Sequence, residues 1–139
     1  MFSTKNPNSI TQEEKKEITV LDISNQSLGK NTKDYYGNRQ QSLNLQGFEN
    51  LQVLICSHNE IEELIIDEVS LAKLERLDCS FNKIWQIKLT GKADNLEKVI
   101  VSDNSLENIN FLTSLNPEKL IYLDIRNNVF KNDNYGSRS

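Results

Sequence analysis

LQVLICSHNEI (51–61), LERLDCSFNKI (74–84), LEKVIVSDNSL (96–106) and LIYLDIRNNVF (120–130) superimpose without gaps. Their starts lie 23, 22 and 24 residues apart. Each reads L-x-x-Φ-x-Φ-x-x-N-x-Φ, where Φ is apolar. A further copy, ITVLDISNQSL (18–28), keeps the apolar positions but has Gln26 where the others carry Asn59, Asn82, Asn104 and Asn128. Self-similarity at a fixed period of this length is the mark of a repeat architecture.

The pattern has a physical reading. Apolar residues two apart, such as Leu54/Cys56 and Leu77/Cys79, share one face of a short strand. So short a strand is not stable alone. Recurrence of the pattern lets each winding lay its strand beside the last in parallel, and the rest of the winding supplies the long crossover that a parallel pair needs. Stacked windings then bury a continuous apolar column. The Asn falls where the chain turns, and its amide offers two donors and an acceptor to backbone groups of neighbouring windings. The expectation is a ladder of Asn59, Asn82, Asn104 and Asn128.

These motifs resemble the leucine-rich repeat family over roughly residues 18–130. The resemblance implies an α/β-class solenoid: a right-handed curved coil of about five repeats, with a short parallel β-sheet on the concave face. Leu43/Leu45, Leu64/Ile66, Ile87/Leu89 and Ile109/Phe111 repeat an apolar-x-apolar step outside the motif. That step, with few good helix formers, predicts a mostly extended or 3₁₀ convex side.

The distance from Ile18 to Leu51 is 33 residues, about ten more than the period. The excess is assigned to a surface insertion over 29–42, with Tyr35, Tyr36 and Arg39 at its tip. Residues 1–17 read as a disordered tail (1–9) and a short helical cap, signalled by the Thr11/Glu14 capping box. Residues 131–139 read as a polar tail. No polar cap is visible after Phe130, so the last winding is expected to meet something, end to end or in cis.

Composition sets the outer limits. The 139 residues make one domain, and Leu, Ile, Val and Phe account for 41 of them, enough for a core. A net charge of −4 argues against a general nucleic-acid binder. No apolar run is long enough to span a membrane, and the N-terminus lacks the apolar segment of a secretory signal. Two cysteines without an export signal predict a reducing, cytoplasmic setting.

Candidate functional residues follow from the resemblance, which implies that side chains between the inward pair face out from the concave sheet. They are Val53, Ile55, His58, Arg76, Asp78, Phe81, Lys98, Ile100, Tyr122, Asp124 and Arg126. Apolar and aromatic groups mixed with arginine have the composition of a protein-binding patch. The outward row Ser24, Ser57, Ser80 and Ser102 reads as filler, and Trp85 as convex-side packing. Cys56 and Cys79 are expected to be buried thiols in the apolar column. His58 is the one histidine, so a Ser-His-Asp or Cys-His scheme would have to use it, on a shallow sheet with no loop to exclude water. No catalytic group, metal or cofactor is therefore expected. The expected function is a non-catalytic module for a protein or peptide partner. The alternative is a structural or regulatory segment of a larger, kinase- or phosphatase-linked protein.

Overall fold

The structure, a computed structural model, describes residues 1–29 and 41–131. Its strands are β1 (Phe2–Ser3), β2 (Val20–Asp22), β3 (Ser42–Leu45), β4 (Val53–Ile55), β5 (Glu63–Ile66), β6 (Arg76–Asp78), β7 (Gln86–Leu89), β8 (Lys98–Ile100) and β9 (Tyr122–Asp124). Two short α-helices, α1 (Gln12–Glu17) and α2 (Glu68–Leu71), and 3₁₀ turns at Pro7–Ser9 and Asn110–Ser114 complete it.

From β2 to β8 the strands alternate between two parallel sheets, and β9 follows β8 in the same sheet. One has the order β1-β2-β4-β6-β8-β9 and the other β3-β5-β7. The first is built from the motif strands. The second is built from the apolar-x-apolar steps, so Leu43, Leu64 and Ile87 are register partners, as are Leu45, Ile66 and Leu89. The fourth such step, Ile109/Phe111, departs from this: it enters the 3₁₀ turn, which packs on β7.

The core lies between the sheets. Leu21, Leu54, Leu77 and Val99 stand in register at the centre of successive strands and are 0–1% exposed. Ile23, Cys56, Cys79 and Val101 form a second enclosed column just beyond the strands. Enclosing each such side chain contributes about 1.5–3 kcal/mol, which is how three-residue strands hold together. The column thins at one end. Leu120, Leu123 and Ile125 are only partly buried, and β9 has no strand on its outer side among the described residues.

The asparagine amides tie the windings together. Asn82 Nδ2 donates to Cys56 O (3.0 Å) in the preceding winding and Cys79 O (3.1 Å) in its own, while Oδ1 accepts from Ile61 N (3.0 Å). Asn104 and Asn128 repeat this one and two windings on. Asn59 Oδ1 accepts from both Gln26 N and Leu28 N. Gln26 itself points elsewhere, its Nε2 donating to Thr4 O, because the motif begins here and no earlier winding needs its amide.

The expected disorder of residues 1–9 is not found. β1 pairs with β2 in register Phe2↔Val20 and Ser3↔Leu21, and the Met1 amino group donates to Glu17 O at 2.8 Å. A free strand edge offers backbone partners to any nearby extended segment, and these residues take them. Thr11 caps α1 with Glu14 reaching back to the Thr11 amide, the reciprocal arrangement the sequence signals. The aromatic tip of the expected insertion, Tyr35 to Arg39, lies outside the described residues, as does nearly all of the expected tail over 131–139.

Candidate binding surface

β2, β4, β6 and β8 each bury their middle residue and turn the two flanking ones outward. Parallel register stacks these into rows. One row runs Phe2, Val20, Val53, Arg76, Lys98, Tyr122; the next runs Asp22, Ile55, Asp78, Ile100, Asp124. A third row stands at the turn after the strands: Asn25, His58, Phe81, Asp103 and Asn127, all at φ between +55° and +58°. The backbone causes that row. The amides of Asn25, His58, Phe81 and Asp103 each donate to a carbonyl in the following winding, and the left-handed turn aims them there. All eleven expected surface residues thus fall on one face, in these rows or, for Arg126, beside them.

His58 and Phe81 stack, with ring centroids 4.6 Å apart and planes 7° from parallel. Phe81 is 49% exposed. A bulky aromatic residue at positive φ costs about 1–2 kcal/mol relative to asparagine or glycine, so the fold does not ask for phenylalanine there. Nothing in the sequence pattern marks this strain, because x positions of the motif carry no backbone signal.

The carboxylates of the second row are largely engaged from within. Asp22 Oδ1 accepts from Ser24 N and Oγ (3.1 and 2.7 Å), and Asp78 Oδ1 from Ser80 N and Oγ (3.1 and 2.8 Å). Asp124 takes both Nε (2.9 Å) and Nη2 (2.8 Å) of Arg126, plus the Arg126 amide. The Arg126 guanidinium holds the Asp124 carboxyl below its ordinary value, against the opposing pull of desolvation. Asp124, expected on the open surface, is therefore only 8% exposed. The serine row is also corrected: Ser57, Ser80 and Ser102 are 5–8% exposed and lie in the sheet-to-turn corner rather than outward. Trp85, expected to pack on the far side, is 51% exposed.

Sequence reasoning missed two surface residues. Phe2 extends the first row from a strand without a repeat signature. Ile121 is 70% exposed at a position where the preceding windings have Gln52, Glu75 and Glu97. That break in the polar pattern was the available signal.

For nucleophilic chemistry the geometry is unhelpful. Ser57 is buried, and the His58 imidazole packs on Phe81 rather than on an acid. Cys56 and Cys79 are free and enclosed, and the hydrogen bond with the Cys79 thiol, together with burial, pushes the Cys56 thiol well up, away from the nucleophilic thiolate. Among the described residues no group of three or more His, Cys, Asp or Glu is placed to hold a metal, and no helix is long and apolar enough to cross a membrane.

Comparison with known proteins gives a consistent picture. The family model described as leucine rich repeats (2 copies) matches residues 49–91. Human oligodendrocyte-myelin glycoprotein is 36% identical over 81 residues, 58% of this chain and 18% of that protein. A protein phosphatase PHLPP-like protein of Drosophila melanogaster is 39% identical over 80 residues, 57% of this chain and 8% of that one. Pig fibromodulin is 28% identical over 95 residues, 68% of this chain and 64% of its own length. The chain thus spans less than a fifth of the first two relatives. No solved structure matches it significantly. With its repeated L-x-x-Φ-x-Φ-x-x-N-x-Φ motif and its parallel strands, the chain is similar to leucine-rich repeat proteins, and residues 49–91 match the leucine-rich repeat model itself.

Proposed function

We propose that the chain is a non-catalytic protein-binding module, a solenoid of about five windings over residues 18–130 that offers the outer, concave face of its six-stranded sheet to a protein or peptide. The observation that carries this is the register itself. It sets Val53, Arg76, Lys98 and Tyr122 side by side, with Ile55 and Ile100 in the next row, and none of the six is needed by the core. The rows are rigid before any partner arrives, so little ordering entropy opposes binding. Stacked rings and arginine are the side chains that dominate binding energy at interfaces. The two enclosed free thiols support a reducing, cytoplasmic compartment.

The test is selection of a displayed peptide library on the folded chain. Selected peptides should lose roughly tenfold or more in affinity for the combined variant Arg76→Ala, Phe81→Ala, Tyr122→Ala. Peptides that bind the variant unchanged would remove the concave face from consideration.

A second reading has its own support: the chain as a regulatory segment within a larger protein. The partly buried Leu120, Leu123 and Ile125, where equivalent residues are fully enclosed, favour a neighbour stacked on β9. The phosphatase-like relative, most of whose length lies outside the match, is in keeping with it. Sedimentation across a concentration range tests the end-to-end form, which predicts self-association that Ile121→Asp abolishes.

A further inference from the structure

Three strands meet at an open depression of about 470 Å³ lined by Arg76 of β6, Lys98 and Ile100 of β8, and Ile121 and Tyr122 at β9. We propose that it anchors an acidic peptide, specifically a Glu or Asp side chain flanked by a Leu-like one. This rests on the sheet face being the binding surface and adds the chemistry of what it binds.

The charges decide the sign. Arg76 and Lys98 are register partners on hydrogen-bonded parallel strands, which places their stems about 4.8 Å apart. Cationic side chains rooted side by side repel wherever their heads approach, and an anion between them relieves that repulsion. The protein places one carboxylate beside Arg76, at long range, and none on Lys98 among the described residues. Lys98 has no ion pair or side-chain hydrogen bond among the described residues. Arg76 Nη2 lies 3.9 Å from Asp78 Oδ2, at the outer limit of an ion pair, and Asp78 Oδ1 is already held by Ser80. Arg76 Nε is buried without any acceptor. The contrast with Arg126 is instructive. That guanidinium also has an aspartate two residues away, yet it closes on Asp124 at 2.8 and 2.9 Å and is spent. Arg76 is left with capacity, on a chain whose net charge is negative.

The rest of the lining sets the second requirement. Ile121 is 70% and Tyr122 49% exposed, directly beside the cations. A bare anion would leave them in water, and a purely apolar segment would desolvate the unpaired Lys98 and the loosely paired Arg76. A carboxylate adjoining an aliphatic side chain satisfies both.

Fluorescence anisotropy tests this with two labelled peptides, one alternating Glu and Leu between Gly-Ser flanks and the other its Lys-for-Glu counterpart. The Glu peptide should bind roughly tenfold or more tightly than the Lys peptide, and should weaken as salt rises. The exposed-site double variant Arg76→Glu, Lys98→Glu should invert that preference while its far-UV circular dichroism stays unchanged. Equal affinities, no binding of the Glu peptide, or an unaltered preference in the double variant would overturn the proposal. If binding responds to Tyr122→Ala and Phe81→Ala but not to charge, the acidic ligand is refuted and the binding face stands.

Discussion

Replacing Asn104 with alanine removes four hydrogen bonds, but their loss is not shared evenly. Asn104 Nδ2 donates to Cys79 O, Val101 O and Ser102 O at 3.0–3.1 Å, and Oδ1 accepts from Ile84 N at 3.0 Å. The three carbonyls each keep another donor: Asn82 Nδ2, Asn128 Nδ2 and the Phe81 amide respectively. The buried Ile84 amide keeps none. One stranded donor costs about 1–3 kcal/mol, and the lost bonds and vacated volume bring the total to about 2–4 kcal/mol. Against a typical stability of about 5–15 kcal/mol that is a large fraction. Asn104→Asp separates the two halves of the amide. Its carboxylate can still accept from Ile84, yet it faces three carbonyl oxygens with a buried charge. At neutral pH it should therefore be less stable than Asn104→Ala. Because such a carboxyl has a raised folded-state pKa, its extra deficit should shrink as acidification protonates it. Urea unfolding measures both, read as a shift in midpoint at constant slope. An aspartate variant as stable as alanine at neutral pH would refute the account of the ladder.

Three further outcomes are expected. Leu77→Ala, at the centre of the enclosed column, should cost about 2–5 kcal/mol in the same urea titration. Phe81→Asn should leave stability unchanged or raise it by up to about 1 kcal/mol, since it relieves a strained turn, while weakening any ligand of the proposed binding face. The hydrogen bond from Lys5, then those from Thr11, lower the Glu14 carboxyl from 4.5 to about 2. Its contribution to the N-terminal cap is thus present above the ordinary carboxylate range and lost as pH falls through that interval. Amide exchange of Glu14 and Lys15 should quicken there in the native chain, and should lose that pH dependence in Glu14→Gln.

The inward residues could be read from the chain because each obeys two constraints at once, the two-residue step of a strand and the period of the winding. Leu54 and Cys56 satisfy both, and so does Asn59 at its fixed offset. The second sheet announced itself through Leu43/Leu45, Leu64/Ile66 and Ile87/Leu89, although at Ile109/Phe111 the same step becomes a 3₁₀ turn, a choice that packing on β7 makes rather than local sequence. Features that occur once were hidden. Phe2–Ser3 becomes a strand only because β2 offers it an edge. Ser57, Ser80 and Ser102 were assigned outward by alternation, but alternation ends with the strand, and the turn that follows folds them in. The positive φ of His58 and Phe81 is set by amides reaching the following winding, which no side-chain pattern reports.

That left-handed row has a consequence for how such a surface changes. The contacts that fix its geometry are made by the peptide backbone, which every amino acid other than proline supplies alike. The side chains of Asn25, His58, Phe81, Asp103 and Asn127 can therefore be exchanged at a cost set by the positive φ, lowest for asparagine and glycine and about 1–2 kcal/mol for bulky residues. A library randomised at those five positions should yield many folded members with altered preferences, so that new recognition can evolve, or be engineered, without re-solving the fold.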